Sequence, residues 1–377
     1  MPITRLADLA DPDVTPRLVF KIGSALLFGR GGQADREWLA GLVWEIAHAR
    51  ERGQQVIVVC SGAVALGAAK MGFEKGGRGS LAEAQASAAV GQIELAGLWS
   101  ELLGAHGITA AQILLTLDDL EGRRRYLNAS ATLGRLLKAG AVPVINENDS
   151  VATDGIRFGD NDRLAARVAQ AGKADAIVLF SDVDGLYDRN PAKPDAKLLR
   201  IVEGVTEAEH AMASGSSGSG MGSGGMTTKL RAVEIAERAG IALAIVNGTH
   251  RRPFGRAIDS DTGTLFLPKR RDPARKAWLG GRLRMKGSLI VDSGCARALG
   301  AGSSLLASGI TAVEGEFTRG DPVGIRDASG KALAKGLAEY DSFEILRIMG
   351  TRSEDQAALL GYSPRSAVVH RDQLVLL

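Results

Sequence analysis

The sequence has few cysteines, few aromatic residues and little net charge. Its two cysteines, Cys60 and Cys295, form no C-x-x-C pair, and its five histidines include no H-x-x-x-H pair. We therefore expect reduced thiols, with neither a disulfide framework nor a zinc site. Aromatic residues make up 5% of the chain while glycines number 48, which favours an α/β protein over an aromatic-rich β sandwich. The formal charge of +3 does not indicate nucleic-acid binding by itself.

Long apolar segments are also missing. The opening sequence MPITRLADLADPDVTPR has no apolar core of the kind found in signal peptides. No run approaches the ~18 apolar residues that a membrane-spanning helix needs. These features predict a cytoplasmic protein that makes no use of a membrane, and 377 residues suffice for two domains.

Short apolar runs alternate with stretches of helical periodicity in the first two thirds of the chain. The runs are rich in β-branched residues and cover 18–23, 55–62, 108–116, 141–149, 174–182 and 241–248. Several of the stretches between them end in glycine, as helices often do. This alternation predicts a mostly parallel sheet with helices on both faces.

Polar and glycine residues follow four of these runs. Open parallel sheets bind ligands beyond the carboxyl ends of their strands, so these residues are expected to form one site. They are Lys21-Ile22-Gly23-Ser24, Ser61-Gly62-Ala63, Asn146-Glu147-Asn148-Asp149 and Ser181-Asp182-Val183-Asp184.

The character of the sequence changes after residue 268. Residues 269–286 include eight basic residues and one acidic residue. Short strand-like pieces separated by turn signals follow, with one short helix at CARALG, and they predict a small, mostly β domain. We assign a first domain to 1–268, a basic linker to 269–283, the small domain to 284–362 and a C-terminal tail to 363–377.

A serine- and glycine-rich run, SGSSGSGMGSGGMTTKL, leads directly into helix-type sequence at 214–230. Its single G-x-G-x-x-G match does not follow a strand, so a Rossmann site is disfavoured, and the chain has no P-loop motif. The glycines let backbone N–H groups turn inward, and Thr227 or Thr228 can cap the helix, as in a phosphate-binding loop. Lys229 opposes the helix dipole there, which indicates an anionic ligand. The alternative is a flexible loop with a surface lysine.

Lys21 stands inside the apolar run LVFKIG, in a strand that should be buried. Buried lysines are rare unless they are paired, and the alternative is a strand-end lysine whose amine reaches solvent. Asp160 and Asp162 offer partners, although aspartate at a helix start also serves as an N-cap. Two lysines, several carboxylates and a glycine-rich loop suit phosphoryl transfer, in which the protein aligns and neutralises anionic groups.

Seven segments together resemble the glutamate 5-kinase family of the amino acid kinase superfamily. They occur in that family's order across about 18–267 and read VFKIGSALL, VVCSGAVALG, QILLTLDDLEGRRRYLNA, VPVINENDSVAT, FGDNDRLAA, LFSDVDGLY and GSGGMTTKL. The part 284–362 resembles the PUA domain appended to many members. The resemblance implies the amino acid kinase fold for 1–268, an open, mostly parallel sheet between helices. It also implies ATP-dependent phosphorylation of the γ-carboxylate of L-glutamate, with Mg²⁺ accompanying ATP.

The resemblance further implies roles for individual residues. Lys21 and Lys229 would stabilise the transition state, and Asp162 would position them. Glutamate would be held by Ser61, Asp149 and Asn161, with support from Asn146 and Asp160. ATP would be bound by Lys21, Gly23, Gly62, Ser181, Asp182, Ser223, Gly224, Gly225, Met226, Thr227, Thr228 and Lys229. Metal ligands are not identified.

The resemblance implies several partners, and it leaves two alternatives. Family members are commonly inhibited by proline and commonly form homo-oligomers, and glutamyl phosphate reductase is a further candidate partner. One alternative is a superfamily kinase for aspartate, acetylglutamate, carbamate or UMP, which the INEND and GDND segments disfavour. The other is an RNA-binding protein, motivated by the basic stretch 269–286 and the PUA-like domain, although a fold does not establish a function.

Overall fold

This computed structural model describes residues 2–28, 33–151, 160–214, 225–269, 285–365 and 367–377, and within them eight strands form one open sheet. The strands are β1 (Arg17–Ile22), β2 (Gln55–Cys60), β3 (Ala110–Leu115), β4 (Val142–Glu147), β5 (Ala176–Ser181), β6 (Ile201–Glu203), β7 (Ala242–Asn247) and β8 (Thr264–Leu267). Their order is β3-β4-β2-β1-β5-β7-β8-β6. Every neighbouring pair is parallel except β7 and β8, so the predicted mostly parallel sheet is confirmed.

Ten α-helices connect these strands within the described residues. They are α1 (Ser24–Leu27), α2 (Arg36–Glu51), α3 (Ala63–Met71), α4 (Leu81–Gly104), α5 (Leu117–Glu121), α6 (Arg123–Lys138), α7 (Asp160–Gly172), α8 (Glu207–Ser214), α9 (Met226–Arg238) and α10 (Pro253–Ser260). All six residues of β5 are buried, and β1 and β2 each have five buried residues. Because helices cover both faces, these strands read as continuous apolar runs rather than as alternating patterns.

Helices α3 and α4 approach each other so closely that glycine is required at two contacts. A Cβ atom on Gly67 would lie 1.8 Å from the carbonyl oxygen of Ser87, and one on Gly91 would lie 1.9 Å from that of Ala63. Helix α4 therefore lies directly against the first turn of α3, which follows the end of β2. This contact places α4 beside the edge of the sheet where ligands were expected.

A second sheet has five strands within the described residues: β9 (Gly287–Val291), β10 (Ile310–Glu314), β11 (Pro322–Asp327), β12 (Ala332–Leu337) and β13 (Leu374–Leu376). Their order is β10-β9-β11-β12-β13, with only β9 and β11 parallel. Its core is separate from that of the first sheet and includes Leu289, Val323, Ile325 and Tyr340. The predicted small, mostly β domain is confirmed.

Two details of that domain differ from the sequence expectation. Helices α12 (Ser342–Ile348) and α13 (Gln356–Leu360) accompany the expected short helix, α11 (Ser293–Gly300). The stretch 363–377, predicted to be a tail, contributes β13, which pairs with β12 because Leu374 and Val375 are buried.

The chain divides into two compact units. The first is Met1–Leu120 with Arg124–Arg271, and the second is Glu121–Arg123 with Asp272–Leu377. The predicted basic linker 269–283 lies outside the described residues except for Lys269. In the described ranges, no helix is both long enough and apolar enough to span a membrane.

Candidate active site

Four predicted polar strand ends lie on four adjacent strands of the sheet. The strands β4, β2, β1 and β5 are neighbours, and all four run parallel. The end of β4 at Asn146 therefore lies near Ser61, which follows β2. Lys21 of β1 lies near Ser181 at the end of β5, along the same edge of the sheet. This is the edge at which open parallel sheets bind ligands.

At the centre of this edge, two lysines meet one aspartate. Lys21 of β1 places its Nζ 2.5 Å from Oδ1 of Asp162, in the first turn of α7. Lys229 of α9 places its Nζ 3.7 Å from Oδ2 of the same carboxylate. Both lysine side chains are 10% exposed and that of Asp162 is 1% exposed. Lys21 is thus a buried, paired lysine rather than one whose amine extends into solvent.

The electrostatics of this triad favour an anion. Burial would raise the pKa of Asp162, but Lys21 and Lys229 outweigh it and hold that pKa below its ordinary value. Burial lowers the pKa of Lys229, with Lys21 adding to the effect and Asp162 opposing it. Asp162 is the carboxylate that contacts both ammonium groups, and Asp182 also acts on Lys229. Two ammonium groups held side by side attract a negatively charged ligand.

The start of α9 presents backbone N–H groups on the same side as Lys229. Its N-cap is Gly225, which has no side chain to cap the helix. The predicted capping by Thr227 or Thr228 is wrong, because both lie within the helix and Thr228 Oγ1 instead donates to the Gly225 carbonyl at 2.7 Å. A helix start without a side-chain cap leaves N–H groups that suit a phosphate.

Gly23 and Gly62 keep the backbone just beyond β1 and β2 free of side chains. A Cβ on Gly23 would lie 3.8 Å from Lys21 Nζ. Gly62 has φ +118°, a left-handed conformation that L-residues avoid, and a side chain there would press on Leu27 and Phe28. Beyond β5, Ser181 Oγ donates to Asp182 Oδ1 at 3.2 Å. Asp182 also acts electrostatically on Lys229, so this strand end faces the triad.

The other half of the edge carries two oxygen acceptors, on Asp149 and Asn161, that receive no hydrogen bond from the described residues. Burial raises the pKa of Asp149 to about 6, and its carboxylate accepts no hydrogen bond from the described residues. Asn161 Oδ1 is buried and likewise has no partner within the described chain. A buried acceptor without a donor, such as Asn161 Oδ1, is costly, and together with the half-buried Asp149 carboxylate it suits a ligand that donates hydrogen bonds, such as an ammonium group. Ser61 is also here, its Oγ donating to the Ile22 carbonyl at 3.4 Å.

Asn146 is held by a residue that the sequence interpretation missed. Asn146 is 1% exposed, and its Nδ2 donates to Gln92 Oε1 at 2.8 Å. Its own Oδ1 accepts the Glu147 N–H at 2.9 Å. The signal for Gln92 was a polar residue on the apolar stripe of α4, at helical spacing from Ala88, Leu95 and Trp99.

Some expected site residues fall outside the described ranges. Ser223 and Gly224 do so, together with most of the serine-glycine run, and Asp160 is described only as the first residue of α7. Among the described residues, no group of three or more His, Cys, Asp or Glu side chains could hold a metal ion.

Comparison with known proteins identifies the class. Residues 16–247 match the amino acid kinase family, and residues 287–360 match the PUA domain. A carbamate kinase from Giardia lamblia bound to AMP-PNP shares the fold, with a TM-score of 0.50 and 14% identity over 67% of this chain and 98% of that chain. The chain therefore belongs to the amino acid kinase family, and the expected fold is confirmed.

Within that family, the chain is similar to proteins named glutamate 5-kinase. The one from Novosphingobium aromaticivorans is 62% identical over 377 residues, covering 100% of both chains. The one from Sphingopyxis alaskensis is 55% identical over 369 residues, covering 98% of this chain and 100% of its own. The one from Zymomonas mobilis is 53% identical over 367 residues, covering 97% of this chain and 92% of its own. The resemblance stated from the sequence motifs is confirmed at full length.

Proposed function

We propose that this protein transfers the γ-phosphoryl group of ATP to the γ-carboxylate of L-glutamate, the first step of proline synthesis. The observation that carries the proposal is the pair of buried lysines on Asp162 at the carboxyl edge of the sheet. The similarity to proteins named glutamate 5-kinase supports the choice of acceptor.

The reaction requires the protein to position the two substrates and neutralise their charge rather than to transfer a proton. A carboxylate oxygen of glutamate attacks the γ-phosphorus, the bond to the β–γ bridging oxygen breaks, and ADP leaves with that electron pair. With an ordinary pKa of ~4.3, the acceptor carboxylate is already ionised at neutral pH. No general base is therefore needed, and none of the matched motifs contains a histidine. Lys21 and Lys229 would stabilise charge on the transferring group while Asp162 holds both amines in place.

The acceptor side of the site supports an amino acid as substrate. Asp149 and Asn161 offer the oxygen acceptors that an α-ammonium group requires. Ser61 lies on the neighbouring strand end. We propose that these residues hold the backbone end of glutamate and direct its γ-carboxylate toward the lysines.

The other side of the site, between the end of β5 and the start of α9, suits a nucleotide. Ser181 and Asp182 follow β5, and the start of α9, from Gly225 to Lys229, suits the phosphates. Mg²⁺ bound with ATP supplies further neutralisation of phosphate charge and prefers oxygen ligands. We assign none of its ligands.

The test is a trapped-product assay. Purified protein is incubated with ATP, Mg²⁺, L-glutamate and hydroxylamine, and both ADP and hydroxamate are measured. We expect hydroxamate from glutamate and none from aspartate or N-acetylglutamate. Folded protein that binds ATP but turns over none of these acceptors would overturn the proposal.

On the basis of the same family resemblance, we also propose an inhibitor, a cellular location and partners. Proline would inhibit by competing for the ammonium acceptors Asp149 and Asn161, since it too carries an ammonium group. The protein would act in the cytoplasm as a homo-oligomer and supply its acyl phosphate to glutamyl phosphate reductase. Adding proline to the assay tests the first point, since inhibition should weaken as glutamate is raised.

RNA binding by the PUA domain is a second proposal, motivated by that domain and the basic stretch 269–286. A gel shift with structured RNA at several salt concentrations tests it, because phosphate contacts make binding weaken steeply with salt. The absence of a shift at low salt would overturn it.

A further inference from the structure

Gln92 borders the proposed acceptor site on two sides. Its Oε1 accepts from Asn146 at the end of β4. Its neighbour Gly91 lies against the Ala63 carbonyl, at the start of the helix that follows Ser61 and Gly62. Strands β2 and β4 are adjacent, so Gln92 lies between the two strand ends that carry proposed substrate residues.

The hydrogen bonds of Gln92 leave its amide nitrogen available. The Glu147 N–H donates to Asn146 Oδ1, so Asn146 Nδ2 faces Gln92 and the Gln92 atom that accepts from it is the oxygen. Within the described part of the chain, Nε2 donates to no residue, and it keeps access to solvent although Gln92 as a whole is only 9% exposed. A held carboxamide whose nitrogen reaches open space can donate to a ligand that enters there.

We infer that Gln92 is a further substrate-binding residue, whose Nε2 donates to an anionic oxygen of the acceptor amino acid. This inference rests on the proposed function. Asn146 then acts as the positioning residue, because its Nδ2 holds the Gln92 oxygen and turns the nitrogen toward the site. The acceptor is recognised by donors at its carboxylate and by Asp149 and Asn161 at its ammonium group.

Gln92→Glu separates this role from a structural one. The substituted carboxylate still accepts from Asn146 but cannot donate, and it adds a negative charge beside an anionic substrate. We expect KM for glutamate to rise about 10–100-fold, as for the loss of a hydrogen bond to a charged group. KM for ATP and the unfolding temperature should stay near wild-type values. Ser100→Glu, which adds the same charge at an exposed position of α4, should leave both KM values unchanged.

Two results would overturn the inference. One is a wild-type KM for glutamate in folded Gln92→Glu protein. The other is a parallel change in both KM values and in the unfolding temperature, which would indicate a structural role. If Gln92→Glu does not fold, Gln92→Met replaces it. Since Met also loses the bond from Asn146, the unfolding temperature should fall, but KM for glutamate should still rise while KM for ATP stays unchanged. Wild-type protein that fails to phosphorylate glutamate would instead overturn the proposed function as well.

Discussion

At the scale of single residues, the strongest feature is a carboxylate shared by two buried ammonium groups. Lys21 is the residue whose type conflicts most with its position in an apolar strand. That conflict was visible in the sequence, and so was the placement of Lys229 at a helix start. The distance between them was not visible, because it depends on how α7 and α9 pack over β1.

Replacing either lysine should reduce turnover far more than stability. Lys21→Met or Lys229→Met removes one charge that would stabilise the transferring phosphoryl group, and we expect kcat to fall on the order of 10²–10³-fold. Each variant also leaves Asp162 with one partner, so the carboxylate stays compensated. The hydroxamate assay measures kcat and circular dichroism monitors the fold. A folded variant with nearly normal turnover would show that the triad is structural.

Asp149 should give the acceptor site a pH dependence. Burial raises its pKa to about 6, and only the ionised form carries the negative charge that pairs with an ammonium group. We therefore expect kcat/KM for glutamate to be at its maximum above that pH and to decline as the pH falls through about 6. Asp149→Asn should lower kcat/KM at pH 8 about 10–100-fold and remove this decline. A profile for the Asn variant that still falls near pH 6 would assign the titration to another group.

The charged residues of the site were easier to predict from the sequence than the neutral ones. Lys21, Lys229 and Asp162 stand out because charge is expensive to bury. Gln92 does not, since one polar residue on the stripe of a long helix is common in cores. Only its pairing with Asn146 and its unused nitrogen distinguish it, and both are properties of the fold.

At the scale of elements, glycine sets the spacing between α3 and α4 and so the position of Gln92. Gly91→Ala would place a methyl group 1.9 Å from the Ala63 carbonyl, which backbone shifts must relieve. We expect a loss of about 1–3 kcal/mol in the free energy of unfolding, with KM for glutamate raised as well. Chemical denaturation measures the first and the kinase assay the second.

Gly97→Ala is the matched control on the same helix. A Cβ there would meet nothing within 4 Å, so only helix propensity changes. We expect a gain of about 0.5–1 kcal/mol. Equal effects of the two substitutions would show that the close approach of α3 and α4 is unimportant.

The long apolar strands were predictable because burial on both faces leaves a continuous pattern. The short ones were not. Only Val202 is buried in β6, and β13 has three residues near the C-terminus. Such strands form because a neighbouring edge has open backbone groups, which the local sequence does not record.

At the scale of the whole molecule, the two units have separate cores. Val142 lies in the core of the first and Val323 in that of the second, and both are fully buried. Each unit is therefore expected to unfold as its own cooperative transition, since a domain's stability depends chiefly on its own core. Val142→Ala and Val323→Ala make the same chemical change in the two cores.

Calorimetry of the full-length variants tests this expectation. Each substitution should cost about 1–3 kcal/mol and lower only one transition. The shift should be larger for Val323→Ala, because the melting temperature of a small unit moves about 4–8 °C per kcal/mol and that of a large one about 2–4 °C. ATP should raise only the transition that Val142→Ala lowers, since the proposed nucleotide site lies wholly in the first unit. A single transition lowered by both substitutions would show that the two units unfold as one.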